Sequence, residues 1–123
     1  MTSPSFSTET KSLLNLFAGE FPRSMLTVTI ESGQNLTAGA VLGKIDSSGK
    51  FVLSLAAAGD GSETPIAILA EDCDASSADV EATAYFSGDF AQAALTLGTG
   101  HTVASILWGL VARQIYLRET TEA

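Results

Sequence analysis

From Leu26 onward the chain alternates. Leu26-Thr27-Val28-Thr29-Ile30 sets apolar side chains at every second position, the two-residue period of a strand with one face against a core. The residues before it lack that order: Ser, Thr and Glu crowd the chain up to Ser12, and Phe6, Leu13, Leu14, Leu16, Phe17 and Phe21 follow no clean period. Residues 1–24 are therefore expected to form an N-terminal arm, and residues 25–123 one domain, since a chain of 123 residues has room for no more.

Within the domain, Ser32-Gly33-Gln34-Asn35 and the run Leu36 to Ile45 predict two tight bends around short strands, with glycines for positive φ or close backbone approach. Asp46-Ser47-Ser48-Gly49 is a turn signal and Phe51 to Leu55 a strand, so residues 41–55 read as a hairpin. A loop centred on Asp60-Gly61 follows. Pro65 then opens a strand, Ile66 to Ala70, whose unbroken apolar character predicts burial on both faces. After an acidic stretch from Glu71 to Glu81, Ala82 to Phe86 predicts a strand ended by Ser87-Gly88-Asp89, and Phe90 to Leu95 suits a short helix.

Val103, Ile106, Leu107, Leu110 and Val111 fall at i, i+3, i+4, i+7 and i+8, an amphipathic helix with Thr102 as its cap and Trp108 in or beside the apolar face. Gly109 in its middle signals close packing on another element. Arg113 to Arg118 alternates again and should close the sheet. Together these elements predict a mainly β fold with one or two short helices (α+β).

Charge narrows the function. Six Lys and Arg against fourteen Asp and Glu give a formal charge of −8, the wrong sign for neutralising a phosphate backbone or docking on anionic lipid, so neither nucleic acid nor membrane is expected as a partner. The apolar run from Val103 to Ala112 is about half of the ~20 residues that span a bilayer. The first residues lack the basic n-region and long apolar h-region of a secretory signal, which predicts synthesis in the cytoplasm of the producing cell.

Candidate chemistry is sparse. Cys73 is the single cysteine and His101 the single histidine, too few for a disulfide or a Cys/His zinc cage. His101 lies in a glycine-rich loop with no nucleophile elbow ahead of it, and the acids around Cys73 should raise its thiol pKa. Glu71, Asp72, Asp74, Asp79 and Glu81 lack the pattern of a calcium loop, and neither Gly59-Asp60-Gly61 nor Gly98-Thr99-Gly100 matches a phosphate-binding fingerprint. No catalytic residue, metal or cofactor is expected. Trp108 and its apolar neighbours fit either a core helix or an oligomer interface.

Two families resemble parts of the chain. The Ser32 to Ile45 segment is similar to the glycine-spaced hairpin of biotinyl/lipoyl carrier domains, but Lys44 and Lys50 stand in Gly-Lys-Ile and Gly-Lys-Phe contexts that lack the carrier motif. A non-catalytic carrier or adaptor module is therefore the alternative reading. The stronger resemblance is to the phage head decoration proteins of the lambda type. It rests on Gly19-Glu20-Phe21, Ser32 to Lys44 with Ser48-Gly49-Lys50, Gly59 to Pro65, Ile68 to Asp72, Tyr85 to Phe90 and Ile115-Tyr116-Leu117, in that order over roughly residues 19–118.

That resemblance implies a β-rich, non-enzymatic virion protein that binds the major capsid protein on the outside of the expanded shell as a homotrimer and stabilises it against DNA pressure. On this reading Phe17, Glu20, Phe21 and Arg23 are the candidate capsid-binding residues, and Ile106, Trp108 and Leu110 the candidate trimer interface.

Overall fold

The computed structural model describes residues 24–119. Its elements are β1 (Ser24–Ile30), β2 (Gln34–Leu36), β3 (Val41–Lys44), β4 (Phe51–Leu53), β5 (Pro65–Leu69), β6 (Cys73–Ala75), β7 (Val80–Ala91), a single 3-10 turn (Gln92–Ala94), α1 (Val103–Val111) and β8 (Ile115–Arg118). The mainly β character read from the alternating segments is what forms.

Five of the strands close on themselves. β1 runs antiparallel to β7, β7 to β5, β5 to β3 and β3 to β4, and β4 meets β1 in parallel at the single pair Ile30↔Phe51. Closure into a small barrel removes most of the unpaired edge that an open sheet would expose. β8 lies outside this ring, pairing in parallel with the last four residues of β7, while β2 and β6 form a separate two-stranded ribbon.

The barrel interior is small, and its side chains match. Ala67, Ala82 and Ala84 fill positions between Ile30, Leu42 and Leu69, as a narrow ring requires. A second apolar layer lies outside the wall, where α1 covers Val41, Ile68, Tyr85 and Phe90 with Ile106 and Leu110. Consecutive residues Val41/Leu42, Ala67/Ile68 and Ala84/Tyr85 thus point into different layers, which explains why β5 reads as an unbroken apolar run.

β7 reaches both layers through a bulge. Ser24 pairs with Ser87 but Met25 with Tyr85, leaving Phe86 as the extra residue. An extra residue reverses which face later side chains take. Tyr85 and Phe90, of opposite parity, therefore share the outer layer with ring centroids 5.7 Å apart.

Several expectations change. Ser24, assigned to the arm, is the first residue of β1. Leu26 keeps the alternation yet is exposed, so burial on that face begins at Val28. The strand expected to stop at Ser87-Gly88-Asp89 continues to Ala91, because Gly88 donates its N–H to the Gln114 carbonyl at 3.1 Å and pairing with β8 overrides the local turn chemistry. That extension takes Phe90 and Ala91, so the helix expected over Phe90 to Leu95 shrinks to the Gln92–Ala94 turn. The acidic stretch contains a strand, β6. Gly109 packs against nothing: a β-carbon there would find open space.

Candidate functional site

Two of the three buried polar residues among those described, Ser54 and Ser62, form a brace with His101. Ser54 and Ser62 are fully enclosed, and Ser54 Oγ lies 2.7 Å from the Ser62 carbonyl and 3.1 Å from His101 Nε2. A carbonyl can only accept, so the hydroxyl proton goes to it and Nε2 supplies the second bond as donor. A serine nucleophile needs the opposite, a base receiving its proton and a path for substrate. Here the pair ties the Gly98–His101 loop to the loop between β4 and β5. Two glycines let these backbones touch: a β-carbon at Gly43 would overlap the Ser62 carbonyl oxygen, and one at Gly98 the Ser54 carbonyl oxygen. Asp60 completes the loop by accepting from the side chain and the N–H of Ser62, which together hold its carboxyl below the usual range.

The acidic residues serve the β2–β6 ribbon. Asp72 accepts the Ala38 N–H at 2.9 Å, Glu71 the Thr83 N–H at 2.9 Å, and Asp74 both the hydroxyl and the N–H of Ser76. Asp79 accepts the Ser32 N–H and pairs with Lys50 Nζ at 2.8 Å, so its carboxyl is held low and the Lys50 ammonium high. Among the described residues no group of three or more His, Cys, Asp or Glu is arranged to hold a metal. Cys73 is buried in β6, and that burial, with Glu71 and Asp74 nearby, pushes its thiol up and away from reactivity.

Asp89, on β7, is the charged residue that sequence reasoning missed. Its side chain is 5% exposed and pairs through Oδ2 with Arg118 Nε at 3.2 Å, while Oδ1 takes no hydrogen bond. Ser-Gly-Asp carries a turn signal, and nothing local announces a partner 29 residues away.

The three candidate interface residues separate on α1. Thr102 caps the helix in a reciprocal box, with Ser105 N–H donating to Thr102 Oγ1 and Thr102 N–H to Ser105 Oγ. Ile106 and Leu110 face the barrel and are enclosed by their own chain, so they present almost no surface to a partner. Trp108 points the other way, 74% exposed. Around it Ala104, Ser105, Gly109 and Ala112 are exposed as well, giving an outer helix face without a single charge. Phe17, Glu20, Phe21 and Arg23 lie outside the described residues.

Lys44 ends β3 on the surface, whereas Lys50 is held by Asp79, so neither sits free at a hairpin tip in the manner of a carrier lysine. No helix among the described residues is long and apolar enough to cross a membrane.

Comparison with known proteins adds one match. None of the curated proteins matches the chain significantly. The sequence profile of one family, described as bacteriophage lambda head decoration protein D, matches residues 7–111, most of the chain, and includes every described element from β1 through α1. A β-rich domain whose helix turns a lone tryptophan outward, matched over that length, belongs to the bacteriophage lambda head decoration protein D family.

Proposed function

We propose that this chain is a non-enzymatic structural protein of the phage head, which binds the outside of the expanded capsid as a homotrimer and reinforces the shell against packaged DNA. The family match over residues 7–111 carries the capsid association. The outer face of α1 supports self-association: a tryptophan exposed among small uncharged residues costs solubility in a monomer and suits the buried centre of an interface. Ile106 and Leu110 hold that face in place from within.

The mechanism is linkage. A trimer that binds the expanded lattice and not the contracted one adds its binding free energy to the expanded state. Three arms per trimer, each bearing Phe17, Glu20, Phe21 and Arg23, contribute weak contacts that multiply through avidity. No cofactor, nucleic acid or membrane takes part, and synthesis is in the host cytoplasm.

Particles lacking the protein should assemble but rupture more readily under heat, chelation or low ionic strength, where DNA self-repulsion is least screened. Purified protein added back should restore them at a fixed stoichiometry, with no metal or nucleotide. Decorated and bare particles failing at the same temperature would overturn reinforcement. Light scattering tests the trimer: Trp108→Ala should leave protomer stability within about 0.5 kcal/mol and reduce the particle mass to that of a monomer.

A further inference from the structure

We infer that the coat-binding surface continues from the arm onto the folded domain, where Met25 and Leu26 hold an uncharged apolar segment of the coat chain; the inference rests on the capsid association proposed above. β4 meets β1 at the single pair Ile30↔Phe51, so among the described residues no strand lies along the second edge of β1 from Ser24 to Thr29. Leu26 shares the parity of the buried Val28 and Ile30 and is nonetheless 59% exposed, while Met25, on the opposite side of the strand, is 55% exposed. An open edge is ordinarily blunted by Lys, Pro or a charge. From Ser24 to Ile30 there is none, and two large apolar side chains stand there in its place.

Charge is graded along the same pairing. Met25, Leu26, Thr27 and Val28 lie opposite Tyr85, Ala84, Thr83 and Ala82, and none of these carries a charge at neutral pH. At the far end Thr29 lies opposite Glu81, with Glu31 and Asp79 next along the chain. In a chain of net charge −8, the end left clear of acids is the one that loses its water at least cost.

The occupant follows from the arm. Residues 1–23 join β1 directly, with Arg23 two residues and Phe21 four residues before Met25. Extended chain advances about 3.5 Å per residue at most, so a coat surface that holds Arg23 or Phe21 lies within roughly 7 to 14 Å of Met25. Because Met25 and Leu26 flank the edge from opposite sides, one coat segment touches both by lying along it. A second copy fits less well: self-association is assigned to the outer side of α1, whose inner side packs on Ile68, Tyr85 and Phe90, and neither Met25 nor Leu26 belongs to that layer.

The test is binding of the full chain to bare expanded particles, read as the concentration that half-saturates them. Met25→Thr/Leu26→Thr keeps strand propensity and removes both apolar side chains. It should leave the unfolding midpoint and the concentration for half trimer unchanged and weaken particle binding at least about tenfold. Since the contact is apolar, that ratio should hold between about 50 and 500 mM salt. The exchange Met25→Leu/Leu26→Met, which keeps the apolar area, should bind as wild type, and so should Val80→Thr at the acidic end of the pairing. A double variant that binds as wild type, while a chain lacking residues 1–18 binds more weakly, would confine the contact to the arm and overturn the inference with the capsid association intact. Weaker self-association of the double variant, with a proportionate loss on particles, would assign the edge to a second copy and overturn it likewise. A wild-type chain that does not bind bare particles would remove both readings.

Discussion

A methyl group at Gly43 would run into the Ser62 carbonyl oxygen, whereas one at Gly109 would meet nothing. The two glycines mark a difference between the barrel and the helix laid over it. In the barrel the small residues are explained by the chain itself: Gly43 admits the loop from Ser54 to Thr64, and Ala67, Ala82 and Ala84 leave room for Ile30 and Leu42. On α1 the inner face is explained in the same way, since Ile106 and Leu110 close the second layer. The outer face is not. Trp108 beside Gly109, Ala104 and Ala112 is exposed and packs on nothing in the barrel, which is why the self-association proposed above is assigned to this face.

The largest expected effect breaks the barrel side. Gly43→Ala should cost about 3 kcal/mol or more, because the obstacle is the backbone of the loop between β4 and β5, held at Ser62 by the Ser54 hydroxyl, and cannot swing aside as a side chain would. Urea unfolding of the purified protein measures it. Phe90→Ala, which empties a fully buried site between the wall and α1, should cost a similar amount, about 3–5 kcal/mol. A Gly43→Ala protein within about 0.5 kcal/mol of wild type would mean that the loop lifts freely from β3.

The next effect concerns the seam where β8 joins β7. Arg118→Ala leaves the Asp89 carboxylate enclosed with no cation beside it, and should cost about 1–3 kcal/mol. The figure lies below that for a fully buried pair because Arg118 itself is largely exposed. Asp89→Leu/Arg118→Ala should recover part of the loss, since replacing both partners leaves no stranded charge. A double variant less stable than Arg118→Ala would show that Asp89 makes a contribution the ion pair does not describe.

How much of this was legible in the sequence follows from the range over which each feature is determined. The alternation in Leu26 to Ile30, the hairpin across residues 41–55, the apolar run of β5 and the Thr102 cap are all set by residues within a turn or two, and each forms close to where it reads. Ring closure depends on β1 meeting β7 some fifty residues later, and the bulge at Phe86 exists only in that pairing. The Ser54–His101 contact spans 47 residues. None of these leaves a local trace. On α1, periodicity identified the apolar positions but not their partners, which is why Ile106 and Leu110 stood beside Trp108 as interface candidates. Burial separates them.

Acid should weaken the barrel side before it touches the helix. Asp60, Asp74 and Asp79 have carboxyls held below their ordinary value of 3.8 by hydrogen bonds from Ser62, Ser76 and Lys50 respectively. Near that value the unfolded chain binds more protons than the folded one, so stability rises with pH there. The contribution is complete above the ordinary value and is lost as pH falls through the lower folded values. Lys50 works in the opposite sense, its contribution fading only as pH rises past 10.5 toward its raised folded value. Unfolding midpoints should therefore be flat from about pH 5 to about pH 9 and fall below about pH 4, and Asp79→Asn should flatten the acid limb. Because α1 has no ionisable side chain from Val103 to Ala112, Trp108 fluorescence should hold its neutral-pH value until the barrel itself unfolds. An earlier change in that signal would tie the helix to a titrating group elsewhere.

The smallest effect is the most diagnostic, because its sign differs between the protomer and the assembly. Gly109→Ala replaces the weakest helix former on α1 other than proline with the strongest, at a site with space for the methyl group, and should stabilise the isolated protomer by about 0.5–1 kcal/mol. If the outer face is where copies meet, the same methyl group stands between Trp108 and its partner surface, and the concentration needed for half trimer should rise. Unfolding at high salt and low protein concentration isolates the first effect, and sedimentation at low salt reads the second. A protomer gain with unchanged self-association would move the interface away from Gly109 and leave Trp108 alone to define it. A protomer loss would mean that Gly109 supports the helix in some way that its capping and open surroundings do not explain, and the contrast with Gly43 would then fail at its own starting point.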